Sequence, residues 1–153
     1  NYECLLVGHE DKEGVSDAYV DRVNELGLEQ RVKFLGRITG QEKFEIYSDS
    51  DIFVLPSWTE GCPNSVLEAL GSGLYIVSTD VGALRDIIEN GFNGVTVSSR
   101  NAEQLADALE QACRDIDVIR MRRDEIEEHA AARYEAKTVF ADVGKLYESL
   151  IHD

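Results

Sequence analysis

The chain has 153 residues and an apolar fraction of 43%, which suits one α/β domain with a sizeable hydrophobic core. Its 30 acidic and 15 basic residues give a formal net charge of −15. This charge argues against nucleic acid as a partner, because phosphate backbones select clustered Lys and Arg. No apolar run is long enough to cross a bilayer, and the first residues do not have the pattern of a signal peptide. We expect a cytoplasmic location, with any membrane contact made by a domain outside this chain.

Apolar segments of strand length alternate with amphipathic helical segments along the chain. Strands are predicted at 4–8, 32–35, 52–55, 75–78 and 94–97. They are continuous runs of Val, Ile, Leu and aromatic residues, which are typical of parallel strands buried on both faces. Helices are predicted at 15–26, from Thr39 through Tyr47, at 64–70 and at 84–89, and the chain is predicted to be helical from Asn101 onward.

Local signals mark the ends of two of these helices. Gly27 follows the first helix and is predicted to be its C′ residue. Thr39 and Glu42 have the spacing of a capping box at the start of the second. Near the end of the chain, apolar residues with helical spacing form a stripe that must be buried against this domain or against a partner domain outside the chain. This C-terminal stripe consists of Val139, Phe140, Val143, Leu146, Tyr147, Leu150 and Ile151.

The order of elements predicts an α/β fold, a Rossmann-like doubly wound parallel sheet with a helical C-terminal segment. We expect residues 1–153 to form a single domain, since the sequence has neither a linker nor an internal repeat. Ligands bind to this class of fold outside the carboxyl ends of the strands. The loops at 36–39, 57–64 and 79–83 are therefore the candidate site segments.

The cysteines are odd in number and far apart, with neither a CxxC spacing nor a His at ligand distance. This pattern predicts reduced thiols, and neither a metal site nor a cofactor besides the substrate. A catalytic role for the thiol of Cys62, which lies inside a candidate loop, would need a nearby base. The cysteines are Cys4, Cys62 and Cys113, and the histidines are His9, His129 and His152.

The loop at 57–64 and the helix after it carry two glutamates, Glu60 and Glu68. Gly61 lets the main chain approach a ligand closely, and Pro63 is suited to the first turn of the helix. The free N–H groups of that turn would form an anion site that needs no Lys or Arg and fits a diphosphate. The two carboxylates would accept hydrogen bonds from sugar hydroxyls. The alternative is a pair of solvated glutamates, since Glu is usually exposed.

These residues resemble the retaining GT-B glycosyltransferases of the glycosyltransferase family 4 type, known as glycosyl transferases group 1. The family's signature is a Glu, seven residues and a second Glu, placed after a buried strand that ends in Pro-Ser. Here Phe53-Val54-Leu55-Pro56-Ser57 precedes Glu60 and Glu68. Further matching pieces, in the family's order, are Leu6-Val7-Gly8, 26–36, the step from Tyr47 to Asp51, 73–82 and 90–94. The resemblance runs from about Leu5 to Cys113.

The resemblance implies that the chain is the C-terminal donor-binding domain of an enzyme that transfers a hexose, with retention, from a UDP-, GDP- or ADP-sugar. Glu60 is then the catalytic position that contacts hydroxyls of the transferred sugar, and Glu68 holds the ribose. The base is expected near Arg37 and Ile38, held largely by main-chain groups. The loop and helix start that meet the sugar and diphosphate comprise Gly61, Cys62, Pro63, Asn64, Ser65, Val66 and Leu67.

The chain departs from the family pattern in two ways. Ala83 stands where the family has a second glycine after Val81-Gly82. The family's basic pair that clamps the diphosphate, the first strand and helix of this domain, and the entire acceptor-binding N-terminal domain are all expected upstream of Asn1. We therefore expect this chain alone to be inactive, because one wall of the active-site cleft lies in the other domain.

Other interpretations of the same residues stay open at this point. A glycosidase-like pair would use Glu60 as nucleophile and Glu68 as acid, although the resemblance assigns one of them to ribose. Another GT-B enzyme, such as a sugar-nucleotide epimerase or a glycogen-synthase-like polymerase, is an alternative, and so is a non-catalytic flavodoxin-like signalling module. The signalling module would need clustered acids at strand ends, where only Asp80 is comparable. Arg85 and Asp86 are predicted to form a surface pair, and His9 to lie in a solvated loop.

Overall fold

The structure is a computed structural model that describes residues 2–9 and 15–151, leaving aside the side chains of Val15 and Ser16. Within these residues, strands and helices alternate as the sequence predicts, and helices follow one another after the last strand. The strands are β1 Cys4–Val7, β2 Val32–Gly36, β3 Ile52–Leu55, β4 Tyr75–Thr79 and β5 Gly94–Val97. The helices are α1 Val15–Glu25, α2 Gln41–Asp49, α3 Asn64–Leu70, α4 Leu84–Ile87, α5 Ala102–Arg114, α6 Ile116–Met121, α7 Arg123–Tyr134 and α8 Ala136–Ile151.

The chain divides into two compact units, Asn1–Glu45 and Ile46–Asp153. In the first unit, β1 and β2 form a two-stranded parallel sheet in which Cys4 pairs with Val32. The expectation that every strand is buried on both faces is wrong for this sheet. Leu6 and Phe34 are 41% and 37% exposed, since a sheet of two strands offers few neighbours that can cover it.

The end of α1 confirms the prediction for Gly27. Its backbone lies in the left-handed region (φ 64°), and its N–H donates to the Asn24 carbonyl at 3.0 Å. The N–H of Leu28 donates to the Val23 carbonyl at 3.0 Å. This pair of hydrogen bonds is the Schellman arrangement, which satisfies the last carbonyls of a helix.

The capping box predicted at Thr39 is wrong by one residue. The helix α2 begins at Gln41, so Gly40 occupies the position before the first helical residue. Gly40 has a φ of 66° and cannot itself be part of the helix. The Thr39–Glu42 spacing therefore does not span the positions that a capping box joins.

The second unit contains a three-stranded parallel sheet with β4 between β3 and β5. Successive residues of β4 enter different cores: Ile76 belongs to a cluster with residues of α3, α4 and α7, and Val77 to a cluster with residues of α5 and α6. Both side chains are 0% exposed. Helices thus cover both faces of the sheet, and the predicted doubly wound α/β architecture is confirmed.

The prediction of a helical C-terminal segment is also confirmed, because α5 to α8 follow one another with single-residue breaks. No residue of α8 is buried, and in the C-terminal stripe the exposed fractions reach 74% at Phe140 and 76% at Ile151. Within the described residues the stripe is therefore not covered by this chain, and of the two alternatives only burial against a partner outside the chain is left. None of the described helices is both long enough and apolar enough to pass through a membrane.

Two arginines attach α6 and α7 to the segment that leads into β3 and to the turn after α3. The Arg123 guanidinium donates to the carbonyls of Ser50 (2.8 Å), Tyr47 (3.0 Å) and Ser72 (2.8 Å). Arg120 donates from two nitrogens to the Asp51 carboxylate, at 2.9 and 2.8 Å. The hydrogen bonds from Arg120 lower the pKa of Asp51, so this pair stabilises the fold above the ordinary carboxyl pKa and loses that effect as the pH falls through the lowered value.

We predict that Arg123→Met destabilises the second unit by about 2–3 kcal/mol, because three carbonyl groups lose a charged donor while the aliphatic volume is kept. Denaturant unfolding of the chain, followed by circular dichroism, measures the difference. Arg114→Met is the matched control: within residues 2–9 and 15–151, Arg114 pairs only with Glu110 on the surface of α5, and such pairs contribute about 0.5 kcal/mol. Equal losses for the two variants would contradict the anchoring role of Arg123.

Candidate functional site

The loops that follow β3, β4 and β5 meet at one edge of the three-stranded sheet. The strands are parallel, with Leu55 paired to Ser78 and Thr79 paired to Val97, so their carboxyl ends lie side by side. This edge is where ligands bind to open α/β sheets. It carries two of the three segments that the sequence singles out, 57–64 and 79–83.

Glu60 is held in place by the loop itself. The side chain is partly buried, and Oε1 accepts a hydrogen bond from the Ser57 hydroxyl at 2.5 Å. Ser57 is held in turn by Thr79, whose hydroxyl donates to the Ser57 carbonyl at 2.6 Å. Glu60 is therefore an ordered carboxylate at the sheet edge and not a freely solvated side chain.

Gly82 brings the loop after β4 into direct contact with the main chain at Glu60. It has a φ of 53°, and a Cβ added there would overlap the Glu60 carbonyl and lie 2.7 Å from the Gly61 carbonyl oxygen. The Ala83 N–H donates to the same Gly61 carbonyl at 2.9 Å. Ala83 has a φ of −70°, which any residue adopts, so its replacement of the family's second glycine costs the backbone nothing.

The helix α3 begins at Asn64, and Pro63 precedes it as the N-cap with an extended backbone (φ −73°, ψ 116°). The expectation that Pro63 belongs to the first turn is therefore wrong by one position. The Val66 side chain is 0% exposed in the core, and its N–H donates to the Pro63 carbonyl at 3.1 Å. Leu67 is partly buried and packs against the same core, whereas Asn64 is exposed and Ser65 partly buried.

Glu68 is the fifth residue of α3 and is partly buried. Its charge acts on Tyr47: burial, followed by the nearby Glu68 carboxylate, raises the pKa of the Tyr47 phenol to about 12. The Glu68 carbonyl accepts a hydrogen bond from Ser72 at 3.0 Å. The alternative of a solvated Glu68 on an outer helix face does not describe this environment.

The remaining predicted site residues belong to two loops, one in each unit. Gly61 and Cys62 are exposed in the loop before α3, and the Cys62 thiol is free. Arg37 and Ile38 follow β2 in the first unit, where Arg37 is exposed and Ile38 partly buried. Among residues 2–9 and 15–151, no group of three or more His, Cys, Asp or Glu side chains is arranged to hold a metal ion.

The surface pair predicted for Arg85 and Asp86 is wrong, because Arg85 turns back toward Asp80. The Arg85 Nη2 lies 3.9 Å from the Asp80 carboxylate, and its Nε donates to the Asp80 carbonyl. The tight turn after β4 brings Asp80 within reach, while Asp86 is exposed. His9 is exposed, as expected for a loop, and His152 lies outside the described residues.

A cavity of about 330 Å³ at the same sheet edge was not anticipated from the sequence. The Trp58 side chain is 69% exposed, and the Arg100 guanidinium lies 4.7 Å from its ring centroid. The signal in the sequence is a tryptophan in the loop directly after the apolar strand β3. The cavity is lined by Pro56, Trp58, Thr79, Val97, Ser98, Arg100, Asn101, Ala102 and Leu105.

Comparisons with known proteins agree on one family. The model of the family described as glycosyl transferases group 1 matches residues 1–115. The D-inositol 3-phosphate glycosyltransferase of Corynebacterium urealyticum is 32% identical over 126 residues, which make up 82% of this chain and 30% of that protein. The phosphatidyl-myo-inositol mannosyltransferase of Mycobacterium leprae is 28% identical over 149 residues, or 97% of this chain and 38% of that protein.

Solved structures show the same fold. Sucrose-phosphate synthase from Thermosynechococcus elongatus superimposes with a TM-score of 0.79 at 26% identity, covering 97% of this chain and 38% of that one. Anabaena HepE in complex with UDP-glucose gives a TM-score of 0.81 at 21% identity, covering 96% of this chain and 41% of that one.

The fold and the relatives together place the chain in the GT-B class of folds, which confirms the resemblance. The chain belongs to the family of glycosyl transferases group 1. It spans 30% and 38% of the length of the two curated relatives described above.

We predict that Gly82→Ala destabilises the chain by about 2 kcal/mol or more, because it combines a left-handed backbone with overlap on the Glu60 and Gly61 carbonyls. Gly91→Ala is the matched control, since Gly91 also has a positive φ (83°) but no atom would lie within 4 Å of the added Cβ. Thermal unfolding of both variants separates backbone strain from the contact. If both lose the same stability, Gly82 does not support the Glu60 loop by packing.

Proposed function

We propose that this chain binds the nucleotide-diphosphate sugar donor of an enzyme that transfers a hexose with retention of configuration. The observation that carries the proposal is the ordered carboxylate of Glu60 at the carboxyl edge of the sheet, separated by seven residues from Glu68 on α3, in a chain of the group 1 glycosyltransferase family. The relatives named above are glycosyltransferases, and HepE has been solved with UDP-glucose. The HepE complex supports a UDP-sugar as donor, and GDP- and ADP-sugars are the other donors that we propose.

In this proposal, Glu60 and Glu68 bind different parts of the donor. Glu60 accepts hydrogen bonds from hydroxyls of the transferred sugar. Its carboxylate has further acceptor positions besides the one that the Ser57 hydroxyl uses. Glu68 accepts from the ribose. Main-chain groups from Gly61 to Ser65 meet the sugar and diphosphate. We propose that Val66 and Leu67, at the start of the helix, contribute through their main chain, because the Val66 side chain is buried in the core.

Arg37 and Ile38 follow β2, and we propose that main-chain groups of this loop meet the base of the nucleotide. The loop follows the carboxyl end of a parallel strand, the kind of position at which this fold class binds ligands. Arg37 is exposed and no carboxylate pairs with it among the described residues, so its main chain and guanidinium are accessible.

Retention in this proposal needs no protein nucleophile. The acceptor hydroxyl attacks the anomeric carbon on the face from which the nucleoside diphosphate leaves. The bond between the anomeric carbon and the phosphate oxygen breaks, and the departing phosphate takes the acceptor's proton. A glycosidase-like mechanism would need both carboxylates at the anomeric carbon, and the assignment of Glu68 to ribose leaves only one.

We also propose that the first strand and helix of the domain, and an N-terminal acceptor domain, belong to the same protein upstream of Asn1. The chain spans 30% and 38% of the length of the two curated relatives described above, which supports this proposal. The acceptor domain is also a candidate partner for the C-terminal stripe.

A second candidate is another GT-B enzyme, such as a sugar-nucleotide epimerase or a glycogen-synthase-like polymerase, which would use the same donor site. Product analysis separates these: an epimerase changes the sugar without an acceptor, and a polymerase extends a glucan. A flavodoxin-like signalling module is disfavoured by the family and by Asp80, which pairs with Arg85.

We predict that the purified chain shows no glycosyl transfer, because the acceptor wall of the cleft lies in the other domain. The full-length protein and the chain are incubated with UDP-, GDP- and ADP-sugars, and released nucleoside diphosphate is measured with and without candidate acceptors. Acceptor-dependent turnover by the chain alone would contradict its assignment as a donor-binding half.

We predict different losses when the two glutamates are replaced in the full-length enzyme. Glu68→Ala weakens binding of the free nucleoside diphosphate by about 1–3 kcal/mol, since ribose loses a charged acceptor. Glu60→Ala leaves that affinity nearly unchanged but lowers kcat, because contacts that strengthen in the transition state appear in turnover. Calorimetry and turnover assays on both variants measure the two effects.

Glu128→Ala is the matched control for these variants, because it removes one carboxylate from an exposed position on α7 and changes the net charge equally. Equal loss of nucleotide affinity in Glu60→Ala and Glu68→Ala would show that the roles are not divided in this way. Wild-type behaviour of both variants would refute the proposed site.

A further inference from the structure

We infer that Ser57 is a positioning residue for Glu60, and that Thr79 at the end of β4 holds Ser57 for this task; the inference rests on the proposed role of Glu60. The contact that carries it is the 2.5 Å hydrogen bond from the Ser57 hydroxyl to Oε1 of Glu60. Among the described side chains, Ser57 is the only one that donates to this carboxylate. A hydroxyl has a single hydrogen to donate, so the bond selects one rotamer of Ser57 and fixes one carboxylate oxygen.

The Ser57 main chain is itself fixed by hydroxyl groups of β4. Thr79 is 3% exposed and donates to the Ser57 carbonyl at 2.6 Å. The preceding residue, Ser78, is 0% exposed and donates to the Leu55 carbonyl at 2.6 Å. Pro56, between these two acceptors, has no N–H and cannot continue the ladder of β3. The two β4 hydroxyls therefore hold the chain where main-chain pairing stops.

The other end of the loop is fixed independently. The Ala83 N–H donates to the Gly61 carbonyl at 2.9 Å, and Gly82 packs against the Glu60 carbonyl. Glu60 thus lies between two attachment points, both supplied by β4 and the loop that follows it. The Ser57 hydroxyl is the remaining contact that orients the side chain within this frame. A carboxylate oriented before the substrate arrives needs less reorganisation in the transition state.

The test uses the full-length enzyme and a double-mutant cycle between Ser57 and Glu60. Ser57→Ala is expected to lower kcat about 10- to 100-fold, the scale of one hydrogen bond to a charged group, with little change in affinity for the free nucleoside diphosphate. Ser57→Thr keeps the hydroxyl and is expected to retain most of the activity. In a Glu60→Ala background, Ser57→Ala should lower kcat by less than about threefold, because residues that act through one contact are not additive.

Two further variants keep the test independent of folding. Thr79→Val removes the supporting hydroxyl with little change in shape, and is expected to lower kcat in the same direction but by less than Ser57→Ala. Ser50→Ala removes a similar bond, from the Ser50 hydroxyl to the Ile46 carbonyl at 2.7 Å, at the end of α2. This control is expected to keep wild-type kcat, and the thermal midpoints of all variants are compared.

The outcomes separate this inference from the proposed function. If Glu60→Ala loses turnover while Ser57→Ala and Thr79→Val do not, the positioning role is refuted and the role of Glu60 stands. If Ser57→Ala costs as much with Glu60→Ala as without it, Ser57 acts independently of Glu60 and the inference is overturned. If Glu60→Ala itself has wild-type turnover, the proposed function of Glu60 fails first, and the positioning role with it.

Discussion

Burial of β4 on both faces is the constraint on which the second unit depends. Ile76 enters one core and Val77 the other, so helices must cover both sides of the sheet. A strand buried in this way leaves little room for polar groups, and its polar residues, Ser78 and Thr79, come at the carboxyl end. Because buried hydroxyls require partners, Ser78 donates to the carbonyl of Leu55 at the end of β3, and Thr79 donates to the carbonyl of Ser57 just beyond it. The burial of β4 in the core therefore determines where the polar groups of the candidate site lie.

Much of this fold can be predicted from the sequence, because continuous apolar runs and helical periodicity are local properties. All five strands and the C-terminal helices lie close to their predicted positions, and Gly27 closes α1 as its position suggests. The family could also be predicted, because the two glutamates stand at fixed spacing after a strand ending in Pro-Ser. The errors at Thr39 and Pro63 are each a single residue, the scale on which a cap and a first turn differ.

Contacts that join distant parts of the chain could not be predicted in the same way. The bond from Thr79 to the Ser57 carbonyl depends on the register of β3 against β4, which no local pattern encodes. The choice of Asp80 over Asp86 by Arg85 depends on how tightly the chain turns after β4. The division into two sheets depends on which strands lie next to one another, and the positions of the strands along the sequence do not determine that.

The Tyr47-to-Asp51 step gains a structural explanation from the arginines. The Arg123 guanidinium donates to the carbonyls at the end of α2 and in the turn after α3. Arg120 donates to the Asp51 carboxylate. These contacts place α6 and α7 against the start of β3. A step that matches the family pattern in the sequence thus serves to attach α6 and α7 to the sheet.

The use of hydroxyl groups to hold the Glu60 loop has a consequence for a protein with a net charge of −15. Attachments made by ion pairs weaken as dissolved salt screens them, and they change when a partner titrates. Bonds from Ser78 and Thr79 to main-chain carbonyls carry no net charge, so neither ionic strength nor pH near neutrality acts on them directly. The attachment of the Ser57 main chain to β4 therefore does not depend on the charges of the surrounding surface.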